Sequence, residues 1–327
     1  MIRALLLSSR PLSWVNTAYP FAAAYILAIT GGVAASGGAG APGGGTAPGV
    51  TVDALGPFVE PSVWDARTIA LAVIGTLFFL VPYNLTMYGI NDVFDYESDL
   101  RNPRKGGVEG ALLDKRLHRA TILASTVLPI PFVVALLVIG GLDAWPSWIV
   151  LAVSLFAVVA YSAPGMRFKE RPFLDSITSS THFVSPAVYG LALAGAQIDG
   201  KLLALLAAFF LWGMASHAFG AVQDIVADRE GGIGSIATVI GAKATVRLAF
   251  AAYLLGGALL LATDWPGPLA AILVLPYAAN VAPFWNVTEA DAETANRGWK
   301  RFLWLNFVTG FLVTMLLIWF AAVRTVS

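Results

Sequence analysis

Cysteine is absent from all 327 residues. That excludes disulfides, thiolate-held metals and cysteine nucleophiles, so any catalysis rests on oxygen and nitrogen groups. Charge is nearly as scarce: charged residues are 12% of the chain against 57% hydrophobic, and the mean hydropathy is +0.74. A soluble domain of this length does not have that balance. The formal net charge is zero, which gives no ground for a nucleic-acid partner, and none is expected.

What the chain does have is long apolar runs. The sequence predicts an all-α, polytopic membrane bundle with nine spans near residues 12–32, 67–90, 120–141, 144–162, 173–196, 202–223, 243–263, 267–286 and 302–323. Each is close to the ~20 residues needed to cross the hydrocarbon core. All 20 Lys and Arg residues except Arg67, Lys201 and Arg324 fall in the loops of one side. By the positive-inside rule that side is cytoplasmic, with the N-terminus inside and the C-terminus outside. A cleaved leader ending near the small residues Ala34 to Ser36 is the rival reading of the first span; the length of the run and the consistent charge pattern favour a retained helix. Residues 33–64, rich in Gly, Ala and Pro and containing neither Lys nor Arg, are expected to form a flexible external loop without chemistry. The whole of 1–327 is read as one domain.

Two acidic stretches stand at the cytoplasmic ends of apolar runs. The first, NDVFDYESD, holds Asn91, Asp92, Asp95 and Asp99, which fall within roughly a 100° arc if the helix continues. The second, DIVAD, places Asp224 and Asp228 on one helix face. Like charges this close repel, and packing does not require such charge density. Hard carboxylate oxygens at a partly hydrated site suit Mg²⁺, which would in turn carry a phosphorylated substrate.

Other polar groups line the same helices. Asn84 and Tyr88 continue the stripe of the second span, Asp175, Ser179 and His182 share a face of the fifth, and His217 precedes Asp224 on the sixth. For Asn84, Ser179 and His182, hydrogen bonding between helices is an equally good explanation. The cationic complement lies in YSAPGMRFKERP, where Arg167 and Lys169 stand beside Tyr161 and suit phosphate oxygens. Arg104 and Lys105, just after the first acidic stretch, are placed to do the same. Lys115, Arg116 and Arg119 are ordinary positive-inside residues.

These residues resemble the UbiA superfamily of intramembrane prenyltransferases. NDVFDYESD is similar to its first aspartate-rich motif, DIVAD to its second, and Tyr161, Ser162, Arg167 and Lys169 to the element between them. The likeness covers nearly the whole chain. It implies nine helices around a central cavity open laterally to lipid, with Mg²⁺ bridging an isoprenyl diphosphate to Asn91, Asp92, Asp95 and Asp99 on one side and Asp224 and Asp228 on the other. Arg167 and Lys169 would hold the diphosphate. Within the superfamily, DYESDLRNPRKGGVEG, YSAPGMRFKERPFLDS and SHAFGAVQDIVADREGGIGSIAT look most like the lycopene elongases. That resemblance implies dimethylallyl diphosphate as donor and lycopene as acceptor, in C50 carotenoid biosynthesis, at the plasma membrane of a prokaryote.

The expected chemistry is ionisation of an allylic diphosphate, followed by attack of an acceptor double bond. Asn84 and Tyr88 are candidate shelters for the allylic cation. Asp175, His182 and His217 are candidate proton acceptors. Prenylation of an aromatic acceptor such as 4-hydroxybenzoate or another quinone precursor would use the same ionising groups. A transporter, or a noncatalytic carotenoid-binding subunit, is the alternative of another class.

Overall fold

The computed structural model describes residues 1–31, 64–100 and 112–326. No β-strand occurs among them. A short α1 (Ile2–Ser8) leads into α2 (Val15–Ile29). Two spans are then broken by proline. α3 (Ala66–Leu80) passes at Val81 into α4 (Pro82–Phe94), which is followed by a single turn, α5 (Tyr96–Asp99). α6 (Lys115–Val127) passes at Leu128 into α7 (Pro129–Gly140). Pro82 and Pro129 lack the amide hydrogen that would continue the ladder, so each starts a new helix at its first position. α8 (Trp145–Ser162), α9 (Leu174–Leu193) and α10 (Gly200–Val222) are continuous, and short α11 (Ile225–Glu230) and α12 (Ile236–Ile240) follow. α13 (Ala242–Leu260), a 3₁₀ stretch at Gly267–Val274 running into α14 (Leu275–Val281), and α15 (Asn296–Val326) complete the chain.

Among the described residues, eight helical segments are long and apolar enough to cross a membrane, where the sequence suggested nine. The fifth expected span is present as α9, 20 residues long, but Asp175, Ser176, Thr178, Ser180, His182 and Ser185 make it too polar to qualify. Its position accounts for that composition. α9 packs against α2, α8 and α10, so protein surrounds it instead of lipid. The contact with α2 is close: a Cβ built at Gly190 would lie 2.8 Å from the Phe21 carbonyl oxygen. On the other side a Cβ at Gly213 of α10 would clash with Ser180 Oγ. Small residues at these crossings let the backbones approach, as they do in membrane bundles generally.

Two apolar cores flank α9. One joins Phe21, Tyr25, Phe78, Phe79, Tyr83 and Tyr189 of α2, α3, α4 and α9. The other joins Phe219, Val246, Tyr253, Tyr277 and Phe302 of α10, α13, α14 and α15. Large side chains outside them, such as Val138, Ile149 and Trp304, are exposed and face the lipid of the bilayer. The expected 33–64 loop lies outside the described residues, apart from Trp64.

Candidate active site

α4 stops at Phe94, and Asp95 is its C-cap at φ −99°, ψ 0° before α5 begins. Asp95 still donates its amide to the Asn91 carbonyl at 2.9 Å, so Asn91, Asp92 and Asp95 keep helical register, and the break in the expected arc falls between them and Asp99. Asp92 and Asp95 take different partners. Asp92 is 1% exposed and pairs with Arg10 at 3.2 Å. Asp95 pairs instead with Lys169 and, at 3.5 Å, with Arg167. Asn91 stays with Asp95: its Oδ1 accepts from Ser162 Oγ at 2.8 Å and from Lys169 Nζ at 3.1 Å. Asp99 closes α5, but its side chain lies outside the described residues, as do Arg104 and Lys105.

The second stretch has the same construction. α10 ends at Val222, and Asp224 stands at φ −99°, ψ −4° before α11. Each cluster thus sits where a long helix breaks into a short one, in the sparsely populated bridge region. Asp228 on α11 accepts from Ser235 Oγ at 3.4 Å. Asp95, Asp224 and Asp228 line one chamber of about 2270 Å³, together with Tyr88, Tyr161, Arg167, Lys169 and His217. Asp92 lies behind its wall. No three Asp, Glu or His side chains converge among the described residues. In their place, Lys169 and Arg167 neutralise Asp95. Mg²⁺ is usually held by one or two carboxylates together with substrate phosphates, so Asp95, Asp224 and Asp228 fit it as separate hard-oxygen contacts on the chamber wall without converging.

The basic pair is set by the turn after α8. Arg167 adopts φ 41°, a left-handed backbone uncommon for a residue with a side chain. Its guanidinium also pairs with Glu170, and that bond holds the Glu170 carboxyl below its ordinary range. Burial lowers the pKa of Lys169, partly opposed by Asp95.

The remaining predicted residues divide. Tyr88 and Tyr161 reach the chamber. Asn84 does not: its amide donates to Thr17 Oγ1 at 2.7 Å and to the Phe79 and Leu80 carbonyls, tying α4 to α2 and α3. Asp175 is fully buried, accepting the backbone amides of Ser176 at 2.7 Å and Ile236 at 2.8 Å, and its Oδ2 lies 3.9 Å from His217 Nε2. It anchors α12 and faces His217, which reaches the chamber. His182 and Ser179 line a smaller side pocket of about 230 Å³ with Asn91, Tyr161 and Lys169. The rings of Tyr161 and His182 meet edge-on with centroids 5.1 Å apart.

Arg10 was read from the sequence only as topology. It adopts φ 49°, lies 4.2 Å over the Tyr88 ring and pairs with Asp92. One signal in the sequence was available: an arginine immediately before Pro11, at the start of the first span.

The UbiA prenyltransferase family profile matches residues 55–308, and the chain belongs to that family. It is a membrane prenyltransferase. Among curated relatives it is 49% identical to a lycopene elongase/hydratase of Corynebacterium glutamicum, over 97% of both chains. It is also 52% identical over 98% of its length to a C(50) beta-cyclic carotenoids biosynthesis protein of Dietzia sp. (strain CQ4), of whose length it spans 65%. Among prenyltransferases the chain is thus lycopene elongase-like in sequence. Its fold is like that of a UbiA homologue from Archaeoglobus fulgidus bound to DMAPP and Mg²⁺, with TM-score 0.61, 17% identity, and 93% of this chain and 98% of that one covered. A UbiA homologue from Aeropyrum pernix K1 gives TM-score 0.59 at 18% identity, covering 92% of this chain and 98% of that one.

Proposed function

We propose that this enzyme ionises dimethylallyl diphosphate with the aid of Mg²⁺ and transfers the five-carbon group to lycopene, building C50 carotenoids at a site facing the cytoplasm of a prokaryotic plasma membrane. The observation that carries the reading is the chamber itself. Its volume of about 2270 Å³ exceeds the range of about 300–1,000 Å³ typical of small-molecule pockets, and its lining includes three aspartates and two basic side chains. The rest is walled mainly by apolar side chains such as Leu205, Phe209, Trp212 and Leu317. Such a space suits a charged head group meeting a long hydrocarbon.

A divalent cation held by one or two of Asp95, Asp224 and Asp228 together with the diphosphate would supply positive charge against which diphosphate can leave. Arg167 and Lys169 orient the diphosphate oxygens and stabilise the charge that develops on them. The faces of Tyr88 and Tyr161 shelter the allylic cation. The bundle keeps bulk water from it. After the acceptor double bond attacks, a tertiary cation must lose a proton or capture water, and His217 is the chamber-facing base. Asp175 stands 3.9 Å behind it, placed to stabilise the imidazolium that results.

Membranes containing the protein, given Mg²⁺, labelled dimethylallyl diphosphate and lycopene, are expected to yield labelled pigments heavier than lycopene by mass spectrometry. Consumption of diphosphate with only an aromatic acceptor prenylated would exclude lycopene. Lys169→Ala is expected to raise KM for the diphosphate about tenfold or more, the loss of one charge-assisted contact. An unchanged KM would remove Lys169 from the diphosphate site.

A further inference from the structure

The chamber does not end at the middle of the bundle. α10 lines it along its length, from Ala221 and His217 through Trp212 and Leu205 to Lys201. The 23 residues of this helix rise about 35 Å, roughly the full hydrocarbon thickness. At the end opposite the aspartates the lining turns polar again, with Gln197, Asp199, Lys201 and Asp264. Lys201 pairs with Asp264, and Asp199 caps α10 by accepting the Leu202 amide at 2.8 Å. The chamber is therefore apolar in its middle and polar at both ends.

We propose that the acceptor lies along α10 across the bilayer, and that the outer polar mouth receives the hydroxylated end of a half-reacted carotenoid so that its other end can be extended. The inference rests on the proposed function. In the first transfer the allylic C–O bond breaks and its electron pair leaves with diphosphate, while the acceptor π pair forms the new C–C bond. Water then adds to the tertiary cation and gives up a proton, leaving a hydroxyl. A linear acceptor with two equivalent ends must turn around before a second transfer, which carries that hydroxyl to the far end. In an apolar chamber the hydroxyl would lose its hydrogen bonds to water without replacement. The outer mouth supplies both donors and acceptors for it.

The test uses the full-length protein in membranes, with lycopene as acceptor and time-resolved mass analysis of singly and doubly extended products. A Gln197→Leu/Lys201→Met/Asp264→Leu variant removes the polar side chains of the mouth while leaving the Asp199 cap in place. The second addition is expected to slow relative to the first by at least about fivefold, the effect of one poorly satisfied hydroxyl, so that singly extended pigment accumulates. A second variant, Leu202→Trp, narrows the chamber just inside the mouth and is expected to slow both additions. If wild type makes both products and the ratio is unchanged in the first variant, or Leu202→Trp leaves both rates unchanged, the orientation is wrong. If wild type forms no lycopene adduct at all, the acceptor assignment itself falls, and this inference with it.

Discussion

Asp224→Ala and Asp95→Ala are each expected to lower prenyl transfer at least about a thousandfold while the protein remains folded and extractable, since an electrostatic group at the reacting charge is commonly worth that much. Both carboxylates line the chamber. Without either, the donor set that would hold a divalent cation against the diphosphate is broken. Asp92→Ala should behave differently. Its carboxylate is buried and paired with Arg10, so its removal strands a guanidinium that is only 20% exposed. Breaking such a pair costs about 3 kcal/mol or more where burial is deep. Asp92→Ala is thus expected to lose thermal stability as well as activity. Turnover with labelled dimethylallyl diphosphate, measured beside thermal melting in detergent, separates the two effects. Wild-type rates in Asp224→Ala would remove that residue from the reaction.

Gly190→Leu is expected to prevent recovery of folded protein. The Cβ alone would meet the Phe21 carbonyl oxygen at 2.8 Å and the Tyr25 amide nitrogen at 3.1 Å, and both are backbone atoms that no rotamer change can move. Relief requires α2 to separate from α9. That would open the core holding Phe21, Tyr25 and Tyr189 and pull Thr17 away from Asn84. Overpacking of a rigid contact costs about 1–3 kcal/mol for ordinary core insertions, and a backbone contact stands at or above the upper end. Gly200→Leu, at a position with no atoms within 4 Å of the added carbon, is the matched control. Equal yields and melting temperatures for the two variants would show that the α2–α9 crossing is not tight.

Most of the helices were legible in the sequence, and so was the sharing of one chamber by Asp95, Asp224, Asp228, Arg167 and Lys169. Apolar runs report length directly, and charges at their ends stand out because lipid tolerates so few. The break before Asp99 was not legible: an arc drawn on an ideal helix assumes the helix continues, and no glycine or proline in NDVFDYESD marks a stop. The role of Arg10 was hidden for a related reason. Its contacts with Asp92 and Tyr88 join residues about 80 positions apart, and local pattern carries no information on that pairing. Asn84 showed the opposite case, where a polar residue on the expected stripe proved to tie helices together.

The polar character of α9 bears on how the protein is made. A helix carrying a buried aspartate, a histidine and several hydroxyls gains too little from the acyl chains to partition into them alone. Its stable place exists only once α2, α8 and α10 offer a protein-lined slot. Two of those neighbours precede it in the chain, but α10 is synthesised afterwards. The membrane insertion of α9 is therefore expected to depend on a helix synthesised after it, and protease accessibility of a chain truncated before α10 is expected to find α9 held at the membrane surface.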